Sequence, residues 1–393
     1  MPRFSFRLRL WYFNAMHRAR ASLASIVAAA LLTMPATASA QRAGTLVSAE
    51  PVGSAPDGMR AWRVRYRTLS DRNQPIEVSG MVIAPARPAG GPGKVIAWTH
   101  GMIGVAQRCA PSKDDTNFTM IPSLADVIAR GYTVVAPDYP GLGSSMAHPA
   151  LVGVSTGRSV LDAVRAARDI RGANTGLRFA VWGESQGGHA ALWTGQLARS
   201  YAPELNLMGV AAIVPPTDLA RNMMEGSDKN ARALLTAYTA TSWSRHYGIP
   251  MSALGNRSTQ TIMTRLSDNY CIETHKKPKL STILGIVTVQ RAIRNLDLSK
   301  QQPWGRLMRE NSVSPANAPS PLLIATGSAD VIVAPAVVRD FARRACRAGK
   351  AVRYISIPGG EHATVARTEA AQTLDWIDAR FAGQRAPSDC GRI

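Results

Sequence analysis

The sequence has few cysteines, and it lacks the short motifs that usually bind zinc. There are four cysteines among 393 residues, and neither C-x-x-C nor H-E-x-x-H occurs, so we expect no metal site. An even number of cysteines is typical of two disulfides in an exported chain. Spacing alone leaves all three pairings open for the four cysteines, which are Cys109, Cys271, Cys346 and Cys390.

Acidic residues are scarce, most of all at the start of the chain. The sequence has 46 lysines and arginines against 26 acids, and residues 1–40 contain five arginines but no acid. An apolar run follows at 23–34, too short to span a bilayer comfortably, and small residues lead up to Ala40. This order predicts a cleavable signal peptide over residues 1–40, with cleavage near Ala40. We therefore expect a secreted or periplasmic protein.

The N-terminal segment and the excess of basic residues each allow a further interpretation. An uncleaved membrane anchor would also contain the apolar run, but the small residues after it favour cleavage. Translation from Met1 and from Met16 are both compatible with such a signal. Without residues 1–40 the formal charge falls from +20 to +15. This charge would attract anionic surfaces, but we favour the simpler interpretation of a solvated, arginine-rich surface. The arginines are scattered and no nucleic-acid fold signature accompanies them, so we expect no nucleic-acid partner.

Strand patterns and helix patterns alternate along much of the chain. Residues 60–68 and 76–85 alternate polar and apolar positions, which predicts antiparallel edge strands. From residue 94 onward, short apolar runs alternate with amphipathic segments such as 157–172. This order is typical of an α/β protein with a mostly parallel central sheet flanked by helices.

The alternation stops in one section of the second half. Residues 215–318 contain helix-like pieces and polar loops but no convincing strand, and strand and helix patterns resume at 319. We therefore predict a core of two parts, 41–214 and 319–393, separated by a mostly helical insertion at 215–318.

Residues 178–195, RFAVWGESQGGHAALWTG, place a serine between glycines where an apolar strand meets a helix. Gly183, Ser185 and Gly187 form G-x-S-x-G, which in this context is typical of a nucleophile elbow. The glycines avoid the clashes that a Cβ would cause in so tight a turn. The turn presents the hydroxyl beside the positive end of the next helix. We therefore predict Ser185 as the nucleophile.

A serine hydroxyl needs a base to accept its proton. His189 lies on the helix that begins at the elbow, too close in the chain to act as that base. His246 and His275 lie in the predicted insertion, and we expect surface or packing roles for these three histidines. His362 follows the last predicted strand, so it should reach the same edge of the sheet as Ser185. We predict His362 as the base.

The acid of a serine triad should follow the strand before the histidine, because this fold class uses the chain order serine, acid, histidine. Asp330 lies there, 32 residues before His362. Beside the imidazole its carboxylate would hold the ring in one tautomer and stabilise the imidazolium. Asp340 falls within the following helix and is the weaker candidate.

Backbone amides should stabilise the oxyanion of a tetrahedral intermediate. We predict the amide of Gln186, directly after the serine, and that of Met102, in the loop after an earlier strand. Residues near these strand ends should also contact the substrate. The predicted substrate-binding residues are His100, Gly101, Asp138 and Tyr139, and a purely structural turn is an equal alternative for Asp138 and Tyr139.

Taken together, these segments resemble the α/β-hydrolase superfamily and, within it, the secretory lipase family of the lipase-A type. The resemblance rests on WTHG, VVAPDYPGLG, WGESQGGHAALWTGQLA and GSADVIV followed by GGEH, and it covers roughly residues 45–385. It implies an α/β-hydrolase fold, ester hydrolysis on acyl lipids or smaller esters, and an insertion that acts as a lid or acyl-binding cap. It also implies disulfides Cys109–Cys271 and Cys346–Cys390.

These features predict a secreted serine lipase or esterase that works through an acyl-enzyme, without a cofactor, on a small-molecule or lipid ester. Transient contact with a membrane or lipid surface is compatible with this function. The same residues would serve an acyltransferase or a serine peptidase, since a fold does not determine the bond cleaved. A non-catalytic binding protein on the same scaffold is disfavoured because every triad member is present.

Overall fold

The computed structural model describes residues 42–88, 90–273, 277–319 and 321–393. Within these residues nine strands form one sheet in the order β1-β2-β3-β5-β4-β6-β7-β8-β9. The strands are β1 (Leu46–Pro51), β2 (Met59–Leu69), β3 (Pro75–Pro85), β4 (Lys94–Thr99), β5 (Tyr132–Pro137), β6 (Arg178–Glu184), β7 (Asn206–Ile213), β8 (Leu322–Gly327) and β9 (Val352–Ile357).

Helices connect most of these strands. The α-helices are α1 (Thr116–Met120), α2 (Leu124–Ala129), α3 (Gly153–Ala167), α4 (Gln186–Tyr201), α5 (Leu219–Glu225), α6 (Lys229–Tyr247), α7 (Arg257–Asn269), α8 (Leu280–Ile293), α9 (Trp304–Asn311), α10 (Pro335–Arg347), α11 (Val365–Thr368) and α12 (Ala370–Phe381).

The sheet is mostly parallel, as predicted. The strands from β5 through β4, β6, β7 and β8 to β9 pair in parallel, whereas β1, β2, β3 and β5 pair antiparallel. Every residue of β5 and of β8 is buried, because helices cover both faces of a parallel sheet. This burial on both faces explains why these strands are continuous apolar runs in the sequence.

One edge of the sheet differs from the prediction. Strands β2 and β3 form at the predicted segments, but β1 pairs with β2 and takes the edge position. Strand β1 was not predicted from the sequence. Its residues are all at least partly exposed, so its sequence lacks the apolar alternation by which a half-buried strand is detected.

The core lies on both faces of the sheet. Helices α3, α4 and α10 pack on one face, and α2 and α12 pack on the other. The parallel strands therefore bring their carboxyl ends to one edge between two helical layers. Residues that come after β4, β6, β8 and β9 meet at this edge, which makes it the place to look for a site.

The chain between β7 and β8 forms helices α5–α9 and, in its described residues, no strand. These helices have a hydrophobic core of their own, in which the rings of Trp243 and Trp304 stack with centroids 6.2 Å apart. The segment predicted as an insertion, 215–318, lies within this connection. Among the described residues, no helix combines the length and the apolarity needed to cross a bilayer.

Two disulfides connect distant parts of the chain. Cys109–Cys271 joins the loop after β4 to the segment after α7, and Cys346–Cys390 joins the end of α10 to the C-terminal segment. These are the pairs that the family resemblance implies. The predicted signal peptide, residues 1–40, lies outside the described residues.

Candidate active site

Ser185 lies in a tight turn between β6 and α4. Its backbone has φ 54° and ψ −123°, an unfavourable conformation for a residue with a side chain, of the kind that clusters at functional sites. The flanking glycines allow the turn, because a Cβ on Gly183 would collide with the Thr99 hydroxyl and a Cβ on Gly187 with the Thr99 carbonyl. The Thr99 hydroxyl also donates a hydrogen bond to the Gly187 carbonyl, at 2.8 Å. The end of β4 therefore packs directly against the elbow.

The structure brings together the three residues predicted as a triad. The Oγ of Ser185 lies 2.9 Å from Nε2 of His362, and Nδ1 of His362 lies 2.8 Å from Oδ2 of Asp330. The simplest assignment has Nδ1–H donating to the carboxylate and Nε2 accepting from the serine hydroxyl. In this tautomer Nε2 can accept the serine proton.

Both of the carboxylate's oxygens have partners. While Oδ2 accepts from His362, Oδ1 accepts the backbone N–H groups of Ile332 and Val333, each at 2.9 Å. The Asp330 side chain is fully buried, and that of His362 is 14% exposed. A buried carboxylate with both oxygens bonded keeps one orientation, and so it holds the imidazole in place.

Met102 and Gln186, the predicted oxyanion donors, line the same cavity as Ser185. In the described part of the chain, no acceptor binds the backbone N–H of either residue. His148, which was not predicted, lies behind Gln186. Its Nε2 is 3.4 Å from the Gln186 side-chain nitrogen, and its Nδ1 is 2.7 Å from the Pro140 carbonyl. No sequence signal distinguishes His148 from a packing histidine.

Three of the four residues predicted to contact substrate are buried beneath the cavity instead. His100, Asp138 and Tyr139 are at most 2% exposed and do not line it. The rings of His100 and Tyr139 stack at 4.2 Å, and the Tyr139 hydroxyl donates to the His100 carbonyl. The Asp138 carboxylate accepts from the Ser79 hydroxyl and from the Ser112 backbone. These side chains therefore hold the loops in place.

Gly101 is the fourth predicted substrate-binding residue, and it lies close to the nucleophile. A Cβ on Gly101 would be 3.6 Å from the Cβ of Ser185, which is ordinary contact. The chain at Gly101 therefore approaches the serine without demanding a glycine. A side chain here would occupy space directly beside the serine.

A cavity of about 100 Å³ adjoins Ser185. The loop after β4 and the end of the β8 loop contribute Met102, Ile332 and Val333, and the chain between β7 and β8 contributes most of the rest. The volume is below the roughly 300–1,000 Å³ of pockets for drug-sized ligands. Apolar residues dominate the part that the helices supply, among them Leu219, Met223, Leu235, Trp243 and Met308.

The other candidates lie away from the serine. His189 is buried and contacts the Asn311 carbonyl at 2.7 Å, while His246 lies 3.1 Å from Asp71. Asp340 forms ion pairs with Arg221 and Arg344 at the surface. His275 lies outside the described residues. Of the candidates within the described residues, His362 and Asp330 are therefore the ones that form a hydrogen-bonded line with Ser185.

Burial controls the pKa of several groups around the elbow. It lowers the pKa of His100, His148 and His189 to about 4, since an imidazolium would lose its hydration there. Burial also raises the pKa of Glu184, although the charges of His362 and Arg367 oppose this change. The buried histidines are therefore neutral near pH 7.

The fold and this geometry define a class of protein. A strained serine after a parallel strand, an imidazole and a buried carboxylate form one hydrogen-bonded line beside free backbone amides. In the described residues, no group of histidine, cysteine and acidic side chains could hold a metal ion. Such an arrangement is typical of serine hydrolases with an α/β-hydrolase fold.

Comparison with known proteins gives the family. A model of the secretory lipase family matches residues 114–389, and the chain belongs to this family. Lipase A of Moesziomyces aphidis is 23% identical over 352 residues, which are 84% of this chain and 74% of that protein. A probable inactive lipase of Mycobacterium tuberculosis is 23% identical over 358 residues, which are 85% and 76%.

A solved structure supports the fold. Candida antarctica lipase A in its closed state superposes with a TM-score of 0.74 at 21% identity, covering 91% of this chain and 86% of that one. The predicted α/β-hydrolase fold and the predicted membership of the secretory lipase family are therefore confirmed. The chain is a carboxylic ester hydrolase of the lipase and esterase class.

Proposed function

We propose that Ser185, His362 and Asp330 form the catalytic triad of this hydrolase and that it works through an acyl-enzyme. In the first step His362 Nε2 accepts the hydroxyl proton while Ser185 Oγ bonds to the ester carbonyl carbon. The imidazolium then donates this proton to the alkoxide oxygen, the ester C–O bond breaks, and the alcohol leaves. Asp330 stabilises the imidazolium throughout.

Water completes the proposed cycle. His362 accepts a proton from water, whose oxygen bonds to the acyl carbon, and returns a proton to Ser185 Oγ as the carboxylic acid leaves. The amides of Met102 and Gln186 would donate to the oxyanion in both steps. The observation that carries the proposal is the 2.9 Å and 2.8 Å pair of contacts between the serine, the histidine and the aspartate.

A fluorophosphonate probe tests the nucleophile. We expect the wild type to be labelled and to hydrolyse p-nitrophenyl butyrate, and Ser185→Ala to do neither. Ser112→Ala is a matched control that also loses a buried serine hydroxyl, and it should still be labelled. Labelling that survives in Ser185→Ala would remove this serine from its proposed role.

Two further enzyme classes use the same chemistry up to the acyl-enzyme. An acyltransferase would pass the acyl group to an alcohol, and product analysis with and without an acceptor alcohol distinguishes it from a hydrolase. A peptidase would cleave an amide bond, which a peptide substrate tests. One relative is a probable inactive lipase, so a non-catalytic binding role must also be tested. The labelling experiment does this, because a non-catalytic protein would not react with the probe.

A further proposal concerns the location of this hydrolase. We propose export, with residues 1–40 as a signal peptide, which predicts that the N-terminal sequence of the exported protein begins at Gln41.

We also propose that the helical insertion covers the acyl group as a lid or cap. The cavity supports this role, since helices of the insertion provide most of its lining.

We propose that α8 mediates transient contact with an anionic lipid surface. Leu280, Ile283 and Leu284 are 70%, 43% and 58% exposed, and Lys277 and Lys279 precede them on the surface. Apolar side chains beside lysines are typical of helices that lie in a membrane interface.

A further inference from the structure

The cavity beside Ser185 contains polar groups that have no partner. The side-chain nitrogen and oxygen of Asn222, the Nε of Arg232 and the hydroxyl of Thr236 are buried and form no hydrogen bond in the described structure. All three residues line the cavity, and Thr236 is only 2% exposed. A buried polar atom without a partner destabilises the fold, so such atoms need an explanation, of which a missing ligand is one.

These residues come from two helices of the insertion. Asn222 is on α5, whereas Arg232 and Thr236 occupy successive turns of α6 on the face that also carries Leu235, Thr239 and Trp243. This face is one side of a helix because its residues recur at intervals of three and four. The three polar residues therefore lie in the lining of one cavity, beside apolar residues such as Leu235 and Trp243.

The chemistry of the three groups favours an acceptor as their partner. Asn222, Arg232 and Thr236 can each donate a hydrogen bond, and Arg232 also carries a positive charge. Its terminal nitrogen donates to the Leu296 carbonyl at 2.9 Å, and within the described chain no carboxylate lies at ion-pair distance from it. Asp228 also lines the cavity, but its Oδ1 caps α6 by accepting the N–H groups of residues 230 and 231.

We propose that Asn222, Arg232 and Thr236 form a polar subsite for an acyl group that carries a carbonyl or carboxylate oxygen. This inference rests on the proposed acyl-enzyme chemistry of Ser185. Ser185 and these three residues line one cavity of about 100 Å³, so a short acyl chain attached to the serine would share this space with the subsite. The substrates favoured are therefore esters of short oxo acids or half-esters of short dicarboxylic acids.

The test compares esters of equal chain length in a pH-stat. Ethyl pentanoate has a plain acyl chain, ethyl 4-oxopentanoate adds a ketone, and monoethyl glutarate adds a carboxylate. We expect kcat/KM to be about tenfold or more higher for at least one polar ester, the usual effect of hydrogen bonds to a charged group. Comparing the two polar esters shows whether the subsite prefers a neutral acceptor or an anion. The control is 4-oxopentyl acetate, which carries the ketone in the alcohol half of the ester and not in the acyl half.

Variants assign the preference to the subsite. Arg232→Met keeps an unbranched side chain but removes the charge and the donors, and we expect it to reduce the ratio of polar to plain kcat/KM about tenfold. Lys229→Met removes an exposed charge from the same helix and should leave the ratio unchanged. Thr236→Val is nearly isosteric, and it should reduce the ratio while raising the Tm of the free enzyme, since an unpartnered hydroxyl is replaced by a methyl group.

The outcomes separate this inference from the proposed function. Equal kcat/KM for the plain and polar acyl esters, or a preference confined to 4-oxopentyl acetate, would overturn the inference alone. A preference that survives Arg232→Met, Asn222→Leu and Thr236→Val would also overturn it. If the wild type hydrolyses p-nitrophenyl butyrate but none of these esters, the inference alone fails; if it neither hydrolyses p-nitrophenyl butyrate nor reacts with the fluorophosphonate probe, the proposed function fails and the inference fails with it.

Discussion

At the scale of single residues, hydrogen bonds determine the orientation of each group in the proposed triad. Asp330 accepts from two backbone N–H groups through Oδ1, so Oδ2 is left for His362. This division of the two oxygens has a chemical consequence. Any group placed at Oδ2 decides which nitrogen of His362 carries the proton, and hence whether the ring can accept a proton from Ser185.

Asp330→Asn should therefore abolish most of the activity without disturbing the fold. The amide oxygen will accept from the backbone N–H groups of Ile332 and Val333, which turns the NH₂ group toward His362. The ring then carries its proton on Nε2 and cannot accept one from the serine. We expect kcat to fall about 10³–10⁴-fold, measured with p-nitrophenyl butyrate. Asp340→Asn is the control, and a variant Asp330→Asn with near wild-type kcat would contradict the assigned role.

The residues of the proposed triad could be placed from the sequence because chain order and strand ends determine them. A parallel sheet brings together the residues that lie just beyond its strands, so Ser185, Asp330 and His362 needed only the correct strands. His148 and the buried layer of His100 and Tyr139 could not be placed in this way. Their roles depend on which side of a loop packs inward. Loops have no regular period, so the sequence pattern does not predict which of their residues are buried.

At the scale of elements, amphipathic patterns predicted the helices better than they predicted burial. Asp162 on α3 belongs to the polar face of that helix, yet its side chain is fully buried. It accepts from the Thr68 and Tyr201 hydroxyls at 2.6 Å and 2.7 Å and pairs with Arg165. Partners from β2 and α4 satisfy the carboxylate, so a polar residue lies where the pattern alone predicts solvent.

The disulfides allow a matched comparison between two elements. Cys109–Cys271 closes a longer loop than Cys346–Cys390, 162 against 44 residues, and a longer loop loses more entropy in the unfolded chain. We expect paired alanine variants to lower the free energy of unfolding by about 2–5 kcal/mol each, with the 109–271 pair about 1 kcal/mol more costly. Urea titration under oxidising conditions measures both values.

The same comparison should separate the two disulfides in activity. The Ile272 N–H donates to the Ile103 carbonyl at 2.8 Å, next to Cys271 and next to Met102. Loss of Cys109–Cys271 should therefore loosen the loop of the proposed oxyanion donor and lower kcat/KM. Loss of Cys346–Cys390 should leave kcat/KM unchanged. Equal effects of the two pairs on kcat/KM would argue against this connection.

The exposed face of α8 predicts measurable lipid binding. Leu280→Gln combined with Leu284→Gln should weaken binding to phosphatidylglycerol vesicles by about tenfold or more, since burying each leucine contributes about 1.5–3 kcal/mol. Val47→Gln, which changes an exposed apolar residue on β1, is the control. Co-sedimentation measures the effect. Unchanged binding in the double variant would exclude α8 as the contact surface.

At the scale of the whole molecule, the alternation of strands and helices was enough to predict the class of fold. The shape of the substrate cavity could not be predicted in the same way. Its lining comes from β4, β6 and β8 loops and from helices of the insertion, and these segments meet only when the helices dock on the core. The irregular spacing of the lining residues along the chain leaves no periodic pattern to read.

Acid should destabilise the whole molecule through the buried neutral histidines. His100, His148 and His189 have a pKa of about 4 in the fold against about 6.5 in the unfolded chain. Between these values the unfolded state binds more protons, so stability is complete above pH 6.5 and is lost as the pH falls toward 4. Buried carboxyls whose pKa is raised, such as Asp138 and Asp162, act in the opposite direction, so the histidine contribution must be isolated.

His189→Gln isolates the histidine contribution, because His189 is buried against Asn311 and its ring is absent from the proposed chemistry. Glutamine can still donate to the Asn311 carbonyl, which the ring contacts at 2.7 Å, but it does not titrate. From pH 7 to pH 5 the wild type should lose about 2 kcal/mol more free energy of unfolding than the variant, as a shift from 6.5 to about 4 requires. Urea titrations at the two pH values measure this difference. Parallel losses in both proteins would mean that His189 is already protonated in the fold, or that its unfolded-state pKa is not the ordinary one.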